Sequence, residues 1–230
     1  LPTPRETLHQ VEGDDGVHLV FSRSGGDITG AMQAWAAKRV VELECEELCG
    51  FIFKAKSPSS GMERVKVYDR NGVPAKKGVG FFARAFMTHF PHLPVEEDGR
   101  MHDPVLRENF IECVFVFKRW RDFLAGGANA GALVDFHTRH KLLLLSHSPE
   151  LYREMGKLVA QAGSLPVGSL SASYLGLLTK AMRLHPTVRK HVNVLQHLLG
   201  YFKRQLSADE KQEALELVDL YRQGSVPLIV

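Results

Sequence analysis

The chain has 230 residues, of which 44% are hydrophobic and 24% charged, and its formal net charge is +3. That length admits one large domain or two ordinary ones, and that balance excludes a disordered chain and a membrane-spanning one. Three cysteines, Cys45, Cys49 and Cys113, form an odd set without framework spacing, which argues against a disulfide-stapled secreted module and for the reducing cytoplasm.

The first residues, LPTPRETLHQ, lack the basic-then-apolar order of a signal peptide. The longest aliphatic run, Leu142 to Leu145, is far too short to span a bilayer, so no membrane partner is expected. The N-terminal half then mixes helix and strand. Asp27 caps a predicted helix running to about Cys49, in which Ile28, Met32, Trp35, Ala36 and Val40 recur at helical spacing. Strands are predicted over Phe51–Lys54 and Arg64–Tyr68, the second from polar–apolar alternation.

Between these strands lies the polar turn Ser57-Pro58-Ser59-Ser60-Gly61. Pro58 fixes φ there, and Gly61 allows backbone geometry that a side chain forbids. An ordinary connection and a binding loop at a sheet end both fit it. Asn71-Gly72 marks the next reversal, followed by a predicted helix over Val79–His89, an extended piece over Leu93–Glu96, and a helix from Asp103-Pro104 to Leu124. This order of elements predicts an α/β domain, residues 1–124.

The small, uncharged stretch AGGANAG, residues 125–131, is the predicted linker. Only helices are predicted beyond it, making residues 132–230 an all-α domain. They run over about Leu133–His147, Pro149–Ala162, Ser169–Leu184, Pro186–Leu206 and Ala208–Gln223, with Ser207 capping the last.

No acidic residue occurs between Glu154 and Asp209, a stretch rich in Lys, Arg and His. It reads either as an electrostatic footprint for a polyanion or as a solvated face with counter-charges elsewhere. Along RKHVNVLQHLLGYFKR, Lys190, Asn193, His197, Tyr201 and Arg204 recur at helical spacing opposite an apolar stripe that includes Val194, Leu195 and Leu198, with Lys203 beside them. Such side chains contact bases and phosphates in RNA. Gly200 within that row suits either the close approach of another backbone or close helix packing, at ~1 kcal/mol of helix propensity. In FHTRHKLLLLSH, His137, His140 and His147 fall within roughly a quarter-turn on a continuous helix, and Arg139 and Lys141 are their neighbours. Three imidazoles on one face suit a metal, pH-dependent phosphate contacts or a helix seam. Cys45 and Cys49 stand one helical turn apart and could share a metal, but they read as structural, as does Cys113 in the apolar run Phe110–Phe117.

The segments CGFIFKAKSPSSGMERVKVYDRNG and PVEEDGRMHDPVLRENFIECVFVFKRW resemble the bacterial thiouracil and thiouridine desulfidase family. The segments FHTRHKLLLLSHSPELYREMGKLVA, RKHVNVLQHLLGYFKR and YRQGSVPLIV resemble the YbgA-type domain often fused behind it. The first resemblance implies a cytoplasmic enzyme that replaces C=S by C=O in a thiolated pyrimidine, 4-thiouridine in tRNA or free thiouracil. It also implies a [4Fe-4S] cluster held by three cysteines, whose open iron takes the substrate sulfur. Two of those cysteines belong to segments near the family's N-terminus, one just upstream of a Gly-Leu-Pro-x-Pro-Arg sequence that the opening LPTPRE resembles. The third belongs to Ser-Pro-Ser-Cys-Gly-Met, which here reads SPSSGM and places Ser60 at the ligand position.

Both ends therefore read as shortened relative to the family, and no cluster is expected in this chain. Ser57 matches an active-site position of the family, and Lys56 is placed to meet substrate or phosphate. The expectation is a desulfidase scaffold inactive in this chain, with tRNA or other RNA as partner of the helical domain. The competing readings are a non-enzymatic RNA-binding or interaction module and a metal site on the three histidines.

Overall fold

The computed structural model describes residues 6–229, so Leu1–Arg5 and Val230, on which the reading of the chain ends partly rests, lie outside the described residues. The chain divides into two compact units, residues 1–118 and 119–230. As expected, a small mixed sheet with helices comes first and helices follow.

The first unit opens with a hairpin, β1 (Leu8–Gly13) against β2 (Gly16–Phe21). No strand is predicted there from the sequence, because the residue β1 buries completely is polar: Gln10 is 0% exposed and breaks the apolar alternation. Strand β1 pairs in parallel with β4 (Val65–Tyr68), and β4 pairs antiparallel with β5 (Pro74–Gly78), giving the order β2-β1-β4-β5. The Asn71-Gly72 reversal makes the β4–β5 turn, with Gly72 at φ 78° and the Asp69 carboxylate accepting the N–H groups of Asn71 and Val73. Strand β5, PAKKG, has no apolar alternation and is also missed by pattern.

Strands β3 (Phe51–Phe53) and β6 (Val95–Glu97) form a separate parallel pair. The Ser-rich turn therefore carries the chain from one sheet to the other. Helices α1 (Thr29–Glu42) and α2 (Phe81–His89) cover the core, where Ala36, Val40, Phe53, Phe82 and Phe86 meet. Enclosing a Phe side chain contributes ~1.5–3 kcal/mol, so the tilted and edge-on rings of Phe51, Phe53 and Phe86 are a main source of cohesion.

The predicted helix to Cys49 is too long. Helix α1 gives way to a 3-10 turn at Leu43–Glu46, and Glu47 takes a left-handed φ of 51°. Cys45 and Cys49 lie on either side of that reversal and share no helical face. Helix α3 (Pro104–Ala125) carries residues of both units.

In the second unit the helices are α4 (Ala130–Arg139), α5 (Lys141–His147), α6 (Pro149–Val159), α7 (Val167–Met182), α8 (Val188–Tyr201) and α9 (Ala208–Arg222). Four of these helices start on polar caps in the sequence. Asn129, Ser148 and Thr187 accept backbone N–H groups at α4, α6 and α8, and Ser207 with Glu210 forms a reciprocal capping box at α9. The aromatic centre is Trp120 stacked on Tyr174 at 5.3 Å, with Phe136 edge-on to both. Helices α8 and α9 contribute no buried residue.

Candidate functional site

The turn Ser57–Gly61 is held from three directions. Its Pro58 and Ser59 carbonyls accept the first N–H groups of α2, Phe81 to Pro58 at 3.3 Å and Phe82 to Ser59 at 2.8 Å, so the turn satisfies donors that a helix start leaves open. Gly80 permits this approach, because a Cβ there would lie 2.5 Å from the Ser59 carbonyl carbon. From below, the Gln10 amide donates to the Pro58 and Val79 carbonyls at 2.8 Å each. On the far side, the buried Glu97 carboxylate accepts the Met62 N–H at 2.9 Å. Gln10, Gly80 and Glu97 thus position the turn. None is a site residue on sequence grounds, since each acts across a distance that no local pattern records.

Within the turn, Ser57 Oγ accepts the Ser60 N–H and lies 3.2 Å from Ser59 Oγ. The half-buried Ser60 hydroxyl has no protein partner among the described residues. Lys56, left-handed at φ 60°, lines a cleft that neither Ser57 nor Ser60 lines. The two serines are together; Lys56 faces elsewhere.

An iron–sulfur cluster does not fit the donors present. Iron in such clusters is held by thiolates, and an alcohol is a hard, weakly acidic substitute. Cys45 is exposed, Cys49 follows the Glu47 reversal, and Cys113 lies on α3 within 3.7 Å of the Asn109 amide. Among the described residues no three His, Cys, Asp or Glu side chains gather as a ligand set.

The three histidines do not share a face, because the predicted helix breaks at His140. His137 Nδ1 meets the Tyr174 hydroxyl at 3.1 Å and its ring stacks on Tyr152. His140 Nδ1 donates to the Phe136 carbonyl at 2.7 Å, and His147 Nδ1 to the Leu184 carbonyl at 2.6 Å. His137 and His140 are buried, and burial lowers the pKa of both. Burial thus disfavours their charged forms relative to an exposed imidazole, and their Nδ1 atoms are engaged within the helical unit.

In the unfolded chain these two histidines titrate near 6.5, above their folded values, so as pH falls through about 6.5 they take up more protons unfolded than folded and subtract stability there. Thermal melts from pH 7.5 to 5 are expected to show a smaller acid loss in His140→Gln than in the parent chain. An unchanged acid slope would remove His140 from this account.

The predicted polar row on α8 separates into two parts. Lys190 is half-buried, and its ammonium donates to the His147 and His185 carbonyls at 2.5 and 3.2 Å. It caps the end of α5 and is not free for phosphate. Asn193 is half-buried, whereas His197, Tyr201, Lys203 and Arg204 are exposed. Lys141 sets its ammonium 5.6 Å from the Tyr201 ring centre, joining two predicted RNA contacts from different helices. Arg139 pairs with Asp135 at 2.9 Å. Lys203 and Arg204 have no carboxylate partner among the described residues, and no described helix is long and apolar enough to cross a membrane.

Residues 1–98 match the family model described as 2-thiouracil desulfurase, and residues 141–230 match the one described as Protein of unknown function (DUF1722). The uncharacterized protein YbgA of Escherichia coli (strain K12) is 38% identical over 106 residues, covering 45% of this chain and 62% of that protein. A solved structure described as the [4Fe-4S]-dependent thiouracil desulfidase TudS is 24% identical, with a TM-score of 0.35, over 46% of this chain and 66% of that one. The chain spans just under two thirds of the length of each of these relatives.

Proposed function

We propose that this chain, which joins a 2-thiouracil desulfurase segment to a DUF1722 segment of the YbgA type, is a cytoplasmic desulfidase-like protein directed at thiolated pyrimidines, 4-thiouridine in tRNA or free thiouracil. In this reading the first unit presents the Ser57–Gly61 turn to the pyrimidine, and the exposed edge of α8 with Lys141 holds RNA. The 230-residue chain binds its thiolated target without converting it. One observation carries this last point: a serine hydroxyl, Ser60, stands in a rigidly supported turn where the family resemblance implies a thiolate.

The test is anaerobic incubation of the chain with 4-thiouridine, free and in tRNA, following the thiocarbonyl absorbance alongside equilibrium binding. Saturable binding with unchanged absorbance is the expected result. Catalytic loss of the thiocarbonyl would overturn the inactivity, and absence of any binding would overturn the assignment to thiolated pyrimidines. A second reading, a non-enzymatic RNA-binding module, is favoured by the unpaired Lys203 and Arg204 next to Tyr201. It predicts equal affinity for thiolated and unmodified RNA.

A further inference from the structure

A cleft of about 710 Å³ in the first unit lies between Lys54–Lys56, the β4–β5 ribbon and the segment Glu97–Arg100. Six of its lining residues are cationic and three are acidic. The acids are already engaged. Glu63 pairs with Arg64 and with Arg100, the latter at 3.2 Å. Asp98 lies 3.7 Å from the Lys54 ammonium, and Glu97 accepts backbone N–H groups. Lys56, Lys66 and Lys76 remain without a carboxylate partner among the described residues.

Two of these lysines are placed against the interest of the fold. Lys66 on β4 and Lys76 on β5 are register partners, so their side chains leave the same face directly opposite each other, where like charges destabilise a sheet. Packing does not require them, because Val65 and Val67 supply the buried face of β4. The third, Lys56, holds a left-handed backbone that is uncommon outside glycine. Three ammonium groups around one open cleft suit a multiply charged oxyanion better than a carboxylate, which one lysine would neutralise.

We propose that this cleft is a phosphate-binding site built on Lys56, Lys66 and Lys76. It goes beyond the reading above, which places RNA on the helical unit. The phosphate comes either from a free phosphate compound or from the backbone of an RNA strand, and the two sources are separable.

The experiment compares the full chain with Lys66→Gln/Lys76→Gln and with Lys203→Gln/Arg204→Gln. The probes are inorganic pyrophosphate by calorimetry and an unmodified single-stranded RNA by anisotropy. The cleft double variant is expected to weaken at least one probe by about tenfold, with the RNA salt slope falling by about 1.4 if two backbone contacts are lost. It should also melt higher than the parent without ligand, since the opposed charges are gone. An effect on pyrophosphate identifies free phosphate, and an effect on RNA alone identifies the strand. Unchanged binding of both probes in the cleft variant overturns the site, as does failure of the parent to bind either. If the cleft variant leaves both probes unchanged and Lys203→Gln/Arg204→Gln alone weakens RNA, the cleft site fails and the helical reading stands.

Discussion

Iron and acid-labile sulfide are expected at background level in the purified 230-residue chain, before and after anaerobic reconstitution. The reason is the donor set. Ser60 offers an oxygen that stays protonated near neutral pH, and clustered iron binds thiolate sulfur far better. The turn cannot simply rearrange to recruit a distant cysteine. Its carbonyls are tied to the start of α2 and to Gln10, and Gly80 packs against its backbone. Ser60→Cys alone is expected to add one reactive thiol and no cluster, because Cys45, Cys49 and Cys113 do not gather with any further donors. Joining the two cysteine-bearing segments that the family resemblance implies ahead of residue 1, together with Ser60→Cys, is expected to bring stoichiometric iron. The same extended chain with Ser60 retained should hold markedly less. Stoichiometric iron and sulfide in the unaltered chain would sink the account of Ser60.

Affinity for structured RNA is expected to fall steeply with salt, and Lys141→Gln/Lys203→Gln/Arg204→Gln is expected to reduce the salt slope by about 2, at ~0.7–0.9 per lost phosphate contact. These three cations stand at the exposed end of α8 around Tyr201, where a base can stack and phosphates remain in water. Lys190→Gln should behave differently. Its ammonium is spent on two backbone carbonyls, and charged hydrogen bonds contribute ~1.5–3 kcal/mol each at most. That variant should lose thermal stability and leave the salt slope nearly intact. RNA binding that is absent at low salt, or that the triple substitution leaves unchanged, would end the RNA reading of this surface. A salt slope that collapses in Lys190→Gln without loss of stability would reverse the assignment of roles along the row.

Much of the second unit is legible in the chain because its signals are local. Ser148-Pro149, Thr187 and Ser207 each start a helix at or next to the expected position, since a short polar side chain needs only the next turn to satisfy open N–H groups. The Asn71-Gly72 reversal and the polar turn at Ser57–Gly61 are legible for the same reason. The resemblance of SPSSGM to a cysteine-bearing motif likewise needs nothing beyond adjacent residues.

What depends on distant partners is not legible. The hairpin β1–β2 is hidden because Gln10 takes the core position, and its role appears only when Pro58 and Val79 are brought to it. The histidine face dissolves because Phe136, Tyr174 and Leu184 claim the three imidazoles separately. Lys190 looks like a free phosphate contact in a segment without acids, and the fold supplies it with two carbonyls instead of a carboxylate. Lys66 and Lys76 become a feature only through the β4–β5 register. Local hydrogen bonding and hydrophobic period set the elements, whereas burial and long-range partners determine which polar side chains support the fold and which remain free to act.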